Sequence, residues 1–246
     1  KFEPAPVVKP TVSPETIPLF VPDLKALERT DPPFSKVLEE RASLRDHSGE
    51  AMTVEQLGEF LYRSARIKEQ SSRVDVSFRP SPSAGALHPL EIYPVVDRCT
   101  GLSAGLYHYD PKGHLLSRIS GPNEMVGTLL QLGGVTAMLS GLPQVLFVIT
   151  ARFQRVQNKY QSVAYSAILK DVGCLYQTMY LVATAMGLAP CALGGGHSDL
   201  FSQAAGLDYF AETSVGDFVL GTVGPGARDA ARGEQWHAPT APRTSP

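Results

Sequence analysis

Apolar positions along the chain follow two periodicities, and their order predicts helices and strands built around one core. Between Phe34 and Ala42, apolar Phe34, Val37 and Leu38 recur at three- and four-residue spacing and predict a helix. Thr53-Val54-Glu55-Gln56 has the form of a capping box, and Leu57, Phe60 and Leu61 continue an apolar face behind it. Glu91 to Val96 predicts a short strand. Leu106 to Tyr109 and Leu115 to Ile119 flank Asp110-Pro111-Lys112-Gly113, whose turn residues predict a hairpin. Met125 to Leu132 predicts a helix. Gln144 to Thr150 is rich in β-branched residues and holds the unbroken apolar run Val145–Ile149, as in a strand covered on both faces. The clearest helix is expected from about Tyr160 to Met186, where Ile168, Leu169, Val172, Leu175, Tyr176, Met179, Val182 and Ala183 form one stripe and Gly187 stops it. Ser198 is expected to cap a short helix ending near Gly206, and Phe218 to Val223 to form a last strand. The pattern predicts an α+β fold around one sheet.

Composition narrows the class. A chain of 246 residues with 43% hydrophobic content can bury one sizeable core. Residues 1–22 hold six prolines and read as an extended arm or linker, residues 23–224 as the folded domain, and residues 225–246 as a loosely ordered tail. A net charge of -2 argues against nucleic acid or an anionic membrane as the main partner. The apolar run Val145–Ile149 falls far short of the roughly 20 residues that cross a bilayer. No signal peptide is legible, and a cytoplasmic protein is expected. Cys99, Cys174 and Cys191 are far apart and suggest neither a disulfide framework nor a zinc site. His108 and His114 flank a turn, but no third ligand is spaced to complete a metal site.

Four segments could carry chemistry. In Arg41-Ala42-Ser43-Leu44-Arg45, two guanidinium forks and a hydroxyl can converge on a phosphate, or they can simply place cations at a helix end. Arg79-Pro80-Ser81-Pro82-Ser83-Ala84-Gly85-Ala86-Leu87-His88-Pro89 is a poor helix and a poor strand, and reads as a shaped loop offering hydroxyls and backbone N–H groups. Leu193-Gly194-Gly195-Gly196-His197 lets backbone approach a flat ring, or serves as a flexible turn. Lys159 beside Tyr160 favours a phenolate, which would make Tyr160 a base and Lys159 its electrostatic helper; such a dipeptide also commonly just starts a helix. No GxGxxG or GxxxxGK[ST] motif occurs, so a dinucleotide or P-loop site is not supported.

Taken together, RASLR at 41–45, RPSPSAGALHPLEIY at 79–93, GLYHYDPKGHLL at 105–116, KY at 159–160, LKDVGCLYQTMYLVATAMGLAPCALGGG at 169–196 and VLGTVG at 219–224 resemble the nitroreductase-like flavoprotein superfamily. More narrowly, they look like its SagB-type branch, the azoline dehydrogenases of azole-peptide pathways and the oxidase domains of nonribosomal peptide synthetases. Glycine at 194, where ordinary members often carry an acid, points to that branch; Gly196 replaces a common aromatic. The resemblance implies a three-layer α+β fold with a mixed central sheet flanked by helices, forming a homodimer with FMN at the subunit interface. It implies that Arg41, Ser43 and Arg45 hold the FMN phosphate and ribityl chain, with Arg228 as a candidate further phosphate ligand and Arg232 a poorer one. It implies that Pro80, Ser81 and Ser83 contact the flavin across the dimer, that Gly194 and Gly195 lie beside the ring edge, and that Lys159 and Tyr160 are catalytic. The expected activity is oxidation of a peptide- or carrier-tethered thiazoline or oxazoline to the azole, with a synthetase or cyclodehydratase as a possible partner. The rival readings are an NAD(P)H-dependent nitro or quinone reductase on the same scaffold and a non-catalytic flavin-binding scaffold subunit.

Overall fold

The computed structural model describes residues 5–47 and 49–225. Among them, seven strands form the main sheet: β1 (Thr16–Pro18), β2 (Leu90–Val96), β3 (Gly105–Asp110), β4 (Leu115–Ser120), β5 (Val145–Arg152), β6 (Leu188–Leu193) and β7 (Glu212–Thr222). Their spatial order is β1-β4-β3-β2-β5-β7-β6. Every ladder in it is antiparallel, where a mixed sheet was expected. The long helical crossover after β5 does make β5 and β6 run the same way, but β7 inserts between them and is antiparallel to both. The one parallel pairing among the described residues is a two-residue bridge of Met52–Thr53 with Cys99–Thr100.

The helices are α1 (Leu24–Thr30), α2 (Phe34–Glu40), α3 (Val54–Ala65), α4 (Glu124–Ala137), α5 (Gln154–Tyr160), α6 (Ala164–Ala185) and α7 (Ser198–Ala205). Strand alternation sorts the core into two halves. On β5, Phe147 and Ile149 pack with Leu57 and Phe60 of α3 and Ile168, Val172 and Met179 of α6. Leu146 and Val148 pack on the other side with Val126, Leu129 and Leu130 of α4 and Phe201 of α7. The result is the expected three-layer arrangement, and all eight residues of β5 are buried.

Local chemistry explains where the predicted elements hold and where they shift. The capping box forms as read: the Thr53 hydroxyl accepts from the Gln56 N–H and the Gln56 side chain accepts from the Thr53 N–H. The helix expected from Tyr160 is two helices. Gln161 adopts φ 45°, ends α5, and a single 3-10 turn leads into α6 at Ala164. His197, rather than Ser198, caps α7, its Nδ1 accepting from the Leu200 N–H at 3.1 Å, while the Ser198 and Ser214 hydroxyls pair with each other at 3.0 Å. The last strand begins six residues earlier than expected, at Glu212, and a bulge between Ser214 and Gly216 absorbs the break in its apolar pattern. The helix from Glu124 runs on to Ala137, where left-handed Met138 ends it.

The proline-rich N-terminal segment lies on the domain from Ala5 onward. Its β1 forms the sheet edge against β4, Val7 is buried, and Arg152 and Arg155 donate to the carbonyls of Pro6, Val7 and Ala5. Beneath it, burial alone would raise the pKa of Glu91, but its bond to His108 and its ion pair with Arg152 hold it down at about 2.

Candidate active site

The first cluster is built where α5 ends. The loop from Pro80 to His88 turns back on itself through three left-handed residues, Gly85 (φ 60°), Ala86 (φ 55°) and His88 (φ 45°). Such conformations persist only where surrounding contacts enforce them. Here Asp171 of α6 does so: it accepts from the Ser83 hydroxyl at 2.6 Å and from the Ala84 N–H at 3.0 Å. Ser83 Oγ in turn accepts from the His88 N–H at 2.9 Å. Burial pushes the Asp171 pKa up, against the pull of those two donors. Arg155 of α5 donates to the Leu87 carbonyl and pairs with Asp75. Burial and the nearby Arg79 and Arg155 lower the pKa of His88 to about 3, which keeps that buried ring neutral.

Lys159 and Tyr160 close this cluster. A Cβ added at Gly85 would stand 2.6 Å from Lys159 Nζ and 2.9 Å from Tyr160 Oη, so the loop backbone presses directly against both tips. Lys159 Nζ lies 5.6 Å from the centre of the Tyr160 ring. Tyr160, Ser83 and Asp171 share an open cleft of about 550 Å³ with Val163, Ala167 and Cys174. Ser81 is buried and Pro80 half-buried at the base of the same loop.

The second cluster lies at the other end of α6. The Ser43 and Tyr180 hydroxyls are 2.7 Å apart, the Arg41 guanidinium sits 5.3 Å above the Tyr180 ring, and Tyr180 Oη accepts from the Ala192 N–H at 2.8 Å. The Leu44 N–H donates to the Pro190 carbonyl, laying the arginine segment along β6. Burial raises the pKa of the Cys191 thiol, opposed by Arg45, Ser43 and Tyr180, which converge on it. Gly194 and Gly195 leave the end of β6 into solvent, and nothing lies within 4 Å of where their Cβ atoms would stand.

The structure therefore gathers Ser83 and Gly85 with Lys159 and Tyr160, leaving Pro80 and Ser81 at the base of the same loop, and gathers Arg41, Ser43 and Arg45 near the strand that leads into Gly194 and Gly195. It does not merge the two groups within one chain. Asp171 and Tyr180 anchor them nine residues apart on α6, about 14 Å along the helix axis. Arg228 lies outside the described residues. The anchors themselves are absent from the sequence reading, although one signal pointed at Asp171, a lone acid inside the apolar stripe of α6. Tyr180 carried no such mark. Among the described residues no three His, Cys, Asp or Glu side chains gather as a metal site, and no helix is long and apolar enough to cross a membrane.

The family described as the Nitroreductase family matches residues 38–222. MJ1384 of Methanocaldococcus jannaschii, named for the same family, is 29% identical over 180 residues, covering 73% of this chain and 85% of its own length. The microcin B17-processing protein McbC of Escherichia coli is 28% identical over 134 residues, covering 53% of this chain. The match spans 49% of McbC, so the chain corresponds to about half of that relative. In three dimensions the chain resembles one chain of the E. coli microcin synthetase McbBCD complex with truncated pro-MccB17 bound, at a TM-score of 0.63 and 23% identity, covering 75% of this chain and 69% of that one. At that identity the likeness speaks for the fold.

Proposed function

The chain belongs to the nitroreductase family, and on that premise we propose that it is an FMN-dependent dehydrogenase that oxidises thiazoline or oxazoline rings, on a peptide or a carrier-tethered chain, to aromatic azoles. The family is one of flavin oxidoreductases, and similarity to a microcin-processing protein supports the narrower SagB-type reading. The observation that carries it is the contact of Gly85 with the tips of Lys159 and Tyr160, because it fixes a basic pair against a shaped loop at the mouth of a cleft.

The residues present fit FMN. A flat ring needs backbone without side chains, and Gly194 and Gly195 leave that space open. A phosphate needs cations and hydroxyls, and Arg41, Ser43 and Arg45 supply them along β6. Arg228 stays in the proposal as a further phosphate ligand. Pro80, Ser81 and Ser83 of a second copy would face the ring across a homodimer. Exposed apolar side chains on α2 and α6 support that dimer: Phe34 is 68% and Tyr165 59% exposed, with Leu38 and Leu169 nearby in sequence. A cyclodehydratase or synthetase partner also belongs to the proposal, supported by the likeness to a member of the McbBCD complex.

Bound FMN would supply the hydride acceptor. Tyr160 Oη would take the proton from the neighbouring ring carbon, with Lys159 Nζ, 5.6 Å from the centre of its ring, as its electrostatic helper. The Asp171-anchored loop fixes the height of both tips, and the cleft orients the substrate ring over them. The two hydrogens would leave the ring as hydride and proton, and dioxygen, reduced to hydrogen peroxide, would be the simplest final electron acceptor.

The test is a thiazoline-bearing peptide incubated in air with the flavin-loaded protein and followed by mass spectrometry. The wild type removes two hydrogens from the peptide. Tyr160→Phe keeps its flavin absorbance and loses about 100-fold or more in rate, the usual cost of removing a general base. Undiminished azole formation by Tyr160→Phe removes the assignment. Bleaching of the bound flavin by NADPH, with no azole formed, supports the reductase reading instead.

A further inference from the structure

We propose that the cavity between α4 and the Gly194–Gly196 loop binds a primary ammonium group on an aliphatic stem, with Asp217 of β7 as its counter-charge. Phe218 packs beneath α6, so its neighbour Asp217 turns to the opposite face of the sheet, towards α4. There it lines a cavity of about 250 Å³ whose other walls include Leu129, Leu132 and Thr136 of α4, Leu146 of β5 and His197. Asp217 is only 7% exposed, and its Oδ1 is buried with no hydrogen-bond partner among the described residues. Buried charges are ordinarily paired or hydrogen-bonded, and an unpaired one calls for a missing partner.

The fit at Gly196 is equally specific. A Cβ there would stand 2.3 Å from Asp217 Oδ2, so only glycine admits the carboxylate against the loop. Burial raises the pKa of Asp217 to about 7, as expected for an acid with nothing to neutralise it. The leucine walls select an aliphatic stem. With one carboxylate oxygen pressed against the glycine backbone, a compact ammonium suits the site better than a guanidinium fork, which needs both oxygens free. The site lies on the far face of the sheet from Lys159 and Tyr160 and draws nothing from the flavin reading. Only the glycine loop is common to both.

Isothermal titration of the whole protein at pH 8 tests it, with n-pentylammonium chloride as the probe and 1-pentanol as its neutral counterpart. The ammonium is expected to bind saturably and at least ~10-fold more tightly than the alcohol, and Asp217→Asn to weaken it by ~10-fold or more. Thr136→Trp closes the cavity mouth and leaves the carboxylate untouched, and it too is expected to abolish binding. A third probe, Nα-acetyl-lysine methylamide, separates the sources of the group. Binding of it with similar affinity marks a peptide lysine as the ligand, and its exclusion marks a free amine. Equal affinity for ammonium and alcohol, binding that survives either substitution, or no saturable binding at all overturns the proposal.

Discussion

Gly85 is constrained twice over beside the cleft. Its φ of 60° suits glycine, and the space where a Cβ would stand is already taken by Lys159 Nζ and Tyr160 Oη. Gly85→Ala should therefore push two flexible tips aside rather than unfold the loop. We expect stability to fall by about 1 kcal/mol from the left-handed backbone, while turnover of a thiazoline peptide falls ~10- to 100-fold from displacement of the pair. Steady-state kinetics beside a urea melt check this; equal and small losses in both would show that the contact is only structural. Asp217 gives a second test. Burial raises its folded pKa to about 7 from an ordinary 3.8, so the folded chain binds more protons than the unfolded chain between those values. Stability must then fall as pH rises through that window and level off above it, by up to about 4 kcal/mol at about 1.4 kcal/mol per unit. Asp217→Asn has no charge to bury. Its melting temperature should gain on that of the wild type between pH 5 and pH 8, and parallel pH profiles for the two would refute the unpaired charge. At this scale the sequence marks as candidates the residues whose chemistry is local, such as the arginines and the Lys-Tyr pair, and their roles rest on the proposed function. It concealed Asp171, Tyr180 and Asp217, whose roles exist only because distant segments fold onto them.

Elements were legible wherever a local rule decides them. The Thr53–Gln56 capping box closes as its four residues dictate, and Thr53→Ala should cost about 1 kcal/mol. That is a drop of about 3 °C in melting temperature for a chain of this size. A thermal melt reads it, and no shift would mean that packing of Leu57, Phe60 and Leu61 alone holds α3 in place. The hairpin β3–β4 likewise follows from its turn residues. The break between α5 and α6 was not legible, because nothing in Lys159-Tyr160-Gln161 forbids a helix. Gln161 leaves the helical region where α5, tied by Arg155 to the Leu87 carbonyl, must turn into the axis of α6. The cap of α7 went to His197 for a comparable reason: the neighbouring hydroxyl of Ser198 is drawn to Ser214 on β7. Sheet direction was misjudged because β7 comes last in the chain and inserts between two strands already parallel to each other.

For the molecule as a whole, the decisive feature is the division of the candidate site along α6. One end holds the serine loop and the Lys159–Tyr160 pair, and the other holds Arg41, Ser43, Arg45 and the glycine edge. On the proposed reading one chain offers two half-sites, and a two-fold pair would complete each half with the other's complement. Complementation measures this most directly. Arg41→Ala/Arg45→Ala and Tyr160→Phe are each prepared as inactive proteins, then unfolded together, refolded in equal amounts and assayed for azole formation. If each site takes its arginines from one chain and its tyrosine from the other, half of the dimers are mixed and each holds one intact site, restoring about a quarter of wild-type activity. Activity no greater than that of the two variants refolded separately would contradict a site shared between chains.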